Sequence, residues 1–124
     1  MKIKQLYFED NAFGKEMSSW AESMGIEGIK YDSKNDIHLD QIDGLLLFHE
    51  NHGIGKSQNE WLSIFEGKQR GISKVDINGT LSVAASNFAL WLDRNRCQSI
   101  LAIGAEDLIK NVNLERFLNE LKKA

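Results

Sequence analysis

Ile42-Asp43-Gly44-Leu45-Leu46-Leu47-Phe48 runs without a break into His49-Glu50-Asn51-His52-Gly53-Ile54-Gly55-Lys56-Ser57, and the reading of this stretch decides the fold. Its continuous apolar run, from Leu45 to Phe48, predicts a strand buried on both faces, as in a parallel sheet. Ser57 followed three residues later by Glu60 reads as a capping box, so a helix is expected from Gln58 to Gly67. Trp61, Leu62, Ile64 and Phe65 would form its buried stripe. Open α/β sheets place ligands at strand carboxyl ends, where the next helix offers unpaired N–H groups. The loop from His49 to Ser57 is therefore the expected functional mouth.

Working outward, apolar runs at Lys2–Phe8, Ile26–Tyr31, Gly71–Ile77 and Gln98–Ile103 supply four more candidate strands. Phe13, Met17, Trp20, Ala21 and Met24 recur at helical spacing, and Gly25 is placed to stop that helix in the left-handed conformation. Asp32 to Gln41 is polar and reads as a loop or weak helical turn. Asn78-Gly79-Thr80 turns the chain into a helix through Arg94, Gly104 to Val112 is a loop, and Asn113 is expected to cap a last helix. The order is βαββαβαβα, which implies α/β architecture with helices on both faces of a parallel sheet. For a single domain over residues 1–124, the expectation is a three-layer, flavodoxin-like, doubly wound sheet of five strands in the order 2-1-3-4-5.

Composition narrows the function. A chain of 124 residues can bury one core unaided, and 42% apolar with 27% charged residues is ordinary globular composition. The net charge of −3 supplies no basic footprint for nucleic acid. No apolar run approaches the roughly 20 residues that span a bilayer, and the amino terminus lacks signal-peptide character, so neither a membrane nor secretion is expected. Cys97 is the one cysteine, which excludes an intrachain disulfide and fits a reducing, cytoplasmic setting. It is expected to be buried or at an interface, although Arg94 and Arg96 nearby would lower the pKa of an exposed thiol.

Glu9 and Asp10 leave the first strand together, and two such carboxylates suit a hard divalent cation such as Mg2+. The competing reading is that Asp10 or Asn11 caps the following helix while Glu9 complements its positive end. Tyr7-Phe8-Glu9-Asp10-Asn11 resembles the end of the first strand in response-regulator receiver domains. Gly104-Ala105-Glu106-Asp107-Leu108-Ile109-Lys110-Asn111, with Leu114-Glu115 opening a helix, looks like the family's stretch around its active-site lysine. The resemblance implies Glu9 and Asp10 as the metal-binding acidic pair and Lys110 as that lysine. The family's phosphoacceptor aspartate ends the third strand, where this chain has Phe48 or His49, and Asn111 replaces the proline after the lysine. What it implies is a receiver-like signalling or adaptor module without the phosphoacceptor, acting through another protein.

The central loop supports an alternative. Glu50 to Ser57 differs by one residue from the phosphate-binding pattern G-x-x-x-x-G-K-S, with Glu50 in place of the first glycine. In this reading His49, Gly53, Gly55, Lys56 and Ser57 hold a phosphate-containing small molecule, a nucleotide among them. The simpler account makes Ser57 a cap, Lys56 a solvent-exposed cation and the glycines a turn. His49 and His52, with His38 upstream, lack a third metal ligand at motif spacing. A third reading, a nucleoside- or nicotinamide-processing domain using Glu60 or Glu66, rests on fold analogy alone.

Overall fold

A computed structural model describes residues 3–31 and 36–123. Among these, the strands are β1 (Gln5–Glu9), β2 (Glu27–Tyr31), β3 (Gly44–His49), β4 (Gly71–Asp76) and β5 (Ser99–Ile103). The helices are α1 (Ala12–Ser23), α2 (Lys56–Gly67), α3 (Leu81–Asn95) and α4 (Val112–Lys123), with 3-10 turns at Asp36–Gln41 and Glu106–Lys110. All strand pairs are parallel, as expected for this alternation.

The sheet order is β2-β1-β5-β3-β4, which corrects the expected 2-1-3-4-5. The last strand sits in the middle, and the side chains explain why. All residues of β5 are buried, whereas β4 carries an exposed Lys74 and only one fully buried residue, Val75. Placing β5 at an edge would leave Ile100 to Ile103 against water, so the apolar strand goes inside and the polar one takes the rim. Polar clamps at the amino edge hold β5 on both sides. The Asp43 carboxylate accepts the N–H groups of Gln98 (2.9 Å) and Ser99 (3.0 Å). Ser99 Oγ donates to Gln5 Oε1 of β1 at 2.7 Å.

Chain direction across the sheet assigns the faces. The step from β1 to β2 and the step from β3 to β4 run in opposite directions, so right-handed crossovers put α1 and α2 on opposite sides. The step from β4 back to β5 runs like the first, and α3 joins α1. The packing agrees: Phe13, Met17 and Trp20 of α1, Phe88 and Leu92 of α3, and Phe117 and Leu121 of α4 share one core with Leu46, Phe48 and Ala102. On the other face Trp61, Leu62 and Phe65 of α2 pack with Tyr7, Leu45, Leu47 and Leu101. Leu45, Leu46 and Leu47 thus meet both layers, as their continuous apolar run predicts. Each such buried side chain contributes up to about 1.5–3 kcal/mol.

Local chemistry sets the helix ends. The Asn11 side chain accepts the Gly14 N–H at 2.7 Å and caps α1, while Gly25 takes the left-handed conformation after it (φ 70°), both as expected. The start of α2 differs from the expected Gln58. Gly55 is the extended N-cap residue and its N–H donates to Gln58 Oε1 (3.1 Å), so the helix begins at Lys56. Gln58 takes the reciprocal role expected of Glu60, and Ser57 lies inside the first turn. At α4, Asn111 rather than Asn113 does the capping, its Oδ1 accepting the Asn113 N–H at 2.9 Å.

Candidate functional site

The carboxyl ends of β3 and β5 open into a cleft of about 440 Å³. One wall is the loop after β3, with Glu50, Gly53, Ile54 and Gly55; the other is the segment after β5, with Ala105, Asp107 and Leu108. A shallower extension continues from Glu50 and Asp107 past Lys110 to Val112. The loop after β3 thus lines a cleft where the sequence placed the mouth. The size falls within the usual range of small-molecule sites, and apolar Ile54 and Leu108 alternate with carboxylates and backbone.

The loop is tied down bond by bond. His52 N–H donates to Nδ1 of His49 at 3.0 Å, and Gly53 N–H donates to the Glu50 carbonyl at 2.8 Å. Asn51 N–H donates to Asp76 Oδ1 (3.2 Å), which also accepts Asn78 N–H (3.0 Å). Asn51 and His52 both adopt positive φ, 50° and 67°, a conformation costing of order 1 kcal/mol for each non-glycine residue. The imidazoles of His49 and His52 stack with centroids 5.1 Å apart. Further along the edge, Asn78 Oδ1 accepts from the Asn111 side chain (2.9 Å) and the Asn113 side chain (3.3 Å), joining the β4 loop to the start of α4.

Electrostatics follow from this packing. His49 is buried at the end of β3, opposite Asp76 in register. Burial holds its pKa below the ordinary value, His52 and Lys74 push the same way, and Asp76 opposes them. Burial alone would raise Asp76, but the N–H groups of Asn78 and Asn51 and the neighbouring histidines outweigh it, and the carboxyl lies below its ordinary range. Cys97 is buried, and desolvation followed by the Asp43 carboxylate pushes its thiol up to about 11. The neighbouring arginines do not activate it.

The sequence-derived candidates divide into two groups. His49 ends β3, and Gly53 and Gly55 belong to the loop after it, but the N–H groups of both glycines are already engaged, by the Glu50 carbonyl and the Gln58 side chain. Lys56 and Ser57 are exposed in the first turn of α2, next to the Gly53–Gly55 lip. Lys110, at the end of the 3-10 turn, faces the same opening as Glu50. Glu9 and Asp10 stand apart from these. Glu9 Oε2 accepts the Trp61 indole N–H at 3.2 Å, and Asp10 pairs with Lys30 at 3.9 Å on the surface. Among the described residues no group of three His, Cys, Asp or Glu side chains stands close enough to hold a metal ion. His38 falls outside the described side chains. Glu60 and Glu66 are exposed on α2. Asp76, Asn78 and Asn111 organise this edge without any local spacing that reveals it, because Asp76 arrives through strand register and Asn78 meets Asn111 across 33 residues of chain.

The strand order also bears on the receiver resemblance. Receivers share the flavodoxin order, in which the first and third strands are neighbours. Here β5 lies between β1 and β3, so their carboxyl ends are two strand spacings apart, about 10 Å. Glu9 and Asp10 therefore do not meet His49 in one acidic pocket.

The fold is that of a doubly wound α/β protein with an all-parallel sheet. No protein-family model matches the chain, and no curated protein matches it. Among solved structures it is similar to a protein of Syntrophus aciditrophicus SB described as a "putative molybdenum carrier protein". The TM-score is 0.71 at 12% identity, over 98% of this chain and 94% of that one. At this identity the likeness carries the fold alone. No helix among the described residues is long and apolar enough to cross a membrane.

Proposed function

We propose that this protein binds a small phosphate-bearing molecule in the cleft between the carboxyl ends of β3 and β5. The observation that carries this reading is the cleft itself, at the strand ends where α/β sheets bind ligands, with α2 starting on its lip. Lys56, the first-turn N–H groups of α2 and Lys110 are the cationic partners for phosphate. Glu50 and Asp107 accept hydroxyl hydrogens, as a ribose would offer, and Ile54 and Leu108 cover an apolar face. The test is a thermal-shift screen with ATP, GTP and phosphorylated metabolites, because a ligand bound to the native state alone raises the unfolding temperature. Lys56→Ala and Lys110→Ala should each weaken the shift and leave the unliganded protein within about 0.5 kcal/mol of wild type, since both lysines are exposed. No shift with any phosphorylated compound at millimolar concentration would remove the proposal.

A second reading, a non-catalytic protein-binding adaptor, is favoured by a groove between α1 and α4. Trp20, Leu114 and Leu118 form its floor, and Ile109 and Val112 stand 41% and 64% exposed on its border. A photo-cross-linking residue at position 112 should capture a protein in cells if this reading holds. Absence of adducts there, with adducts formed by a control site in a known complex, would dismiss it.

A further inference from the structure

We infer that His49 is a pH-sensitive latch on the carboxyl-edge cleft: neutral, it holds the loop from residue 49 to 53 closed, and protonated, it lets that loop go. The inference rests on the cleft being the ligand site, and it names how that site is regulated. The key contact is the backbone N–H of His52 donating to Nδ1 of His49 at 3.0 Å. A ring nitrogen that accepts a hydrogen bond carries no proton, so the neutral ring here has its hydrogen on Nε2. The imidazolium has hydrogens on both nitrogens, and Nδ1 then becomes a donor facing a donor. Protonation therefore cannot leave this contact in place.

The loop is built to respond. Asn51 and His52, in succession, sit in the left-handed region, and neither is glycine. They are kept there by three bonds: His52 N–H to His49 Nδ1, Asn51 N–H to Asp76 Oδ1 and Gly53 N–H to the Glu50 carbonyl. Loss of the first removes the restraint on the more twisted residue, and the neighbouring Glu50–Gly53 bridge closes the same turn. Glu50, Gly53, Ile54 and Gly55 are the lip of the cleft, so release of this turn reshapes the ligand wall.

The groups around the ring set the direction. From β4, Asp76 favours the imidazolium and Lys74 disfavours it. From the loop, His52 stacks on the ring and disfavours a second positive charge. The side chains of α2 buried over this face of the sheet are Trp61, Leu62 and Phe65, which offer no charge. Asp76 is the strongest of these charges, and desolvation together with His52 and Lys74 outweighs it. Desolvation keeps the closed form neutral near pH 7.

The test uses the unliganded protein, with ring 15N shifts and amide hydrogen exchange followed from pH 8 to pH 5. The expected result at pH 7.5 is a neutral His49 ring with its proton on Nε2. As that ring titrates, the protection factor of the His52 amide should fall about tenfold or more, while the β3 amides keep theirs. His49→Asn places Oδ1 where Nδ1 stands, accepts the same N–H and does not titrate, so its His52 protection should be independent of pH. His52→Gln should retain the loss. Unchanged protection in the wild type through the His49 titration would overturn the latch, as would a loss that persists in His49→Asn or disappears in His52→Gln. A failure of the ligand reading shows separately, as the absence of any ligand-dependent thermal shift at pH 7.5.

Discussion

His49 and Asp76 occupy register positions opposite each other on adjacent strands, and they tie global stability to pH through opposite chemistries. The folded His49 binds its proton more weakly than the unfolded chain does, whose value is about 6.5. Between that value and the lower folded one the unfolded state holds more protons, so stability falls as pH drops from neutral through this window. Asp76 acts further down: its folded pKa lies below 3.8, so its contribution is intact above that value and is lost as pH falls through the folded one. Urea unfolding at a series of pH values should show a first decline below about pH 6.5 that His49→Asn removes. The decline below pH 4 should remain in that variant. Gly44 supplies a packing counterpart. A Cβ there would lie 2.6 Å from Trp91 Cη2 and 3.1 Å from Cys97 Sγ. The indole is held by its stack on Phe88 and has little room to yield. Gly44→Ala should therefore destabilise by about 1–3 kcal/mol in denaturant titration.

At the scale of elements, the helices declare themselves locally and the sheet does not. The cap of α1 is two residues of chemistry, Asn11 and Gly14, only three positions apart in sequence. Asn11→Ala should cost about 1 kcal/mol, read as a lower denaturant midpoint with unchanged slope. Strand existence was equally legible: the run from Leu45 to Phe48 predicted burial on both faces, and Leu46 and Leu47 do face opposite cores. Strand order was not, although its signal was present. The segment from Ile100 to Ile103 carries no polar side chain, while Ser73, Lys74 and Asp76 mark β4 as a rim strand. That contrast, rather than the commoner five-stranded order, decides which strand is central. For the site, the loop from His49 to Gly55 could be found because strand, loop and helix are contiguous. Asp76, Asn78 and Asp107 reach the same edge through register and crossover, information that no local spacing carries. The shift of the α2 start from Gln58 to Lys56 has the same lesson on a smaller scale, since Gln58 outcompeted Glu60 for the cap backbone.

Taken as a whole, the molecule is two strand pairs, β2-β1 and β3-β4, joined through a strand that comes later in the chain than all four. Until residues 99–103 are in place, β1 and β3 each present an unpaired edge, and Leu101 and Ile103 are missing from the α2-side core. A fragment ending at residue 97 should therefore lack cooperative unfolding in circular dichroism and should self-associate in sedimentation, through the open edges. A cooperative monomeric fragment would contradict the central placement of β5. During synthesis the same geometry delays closure: the inner edges of both half-sheets stay open until β5 has left the ribosome. It also makes the protein a natural candidate for splitting. A peptide spanning residues 98–123 carries the keystone strand and α4 together, so fusing each piece to one of two interacting proteins should make refolding report on their encounter.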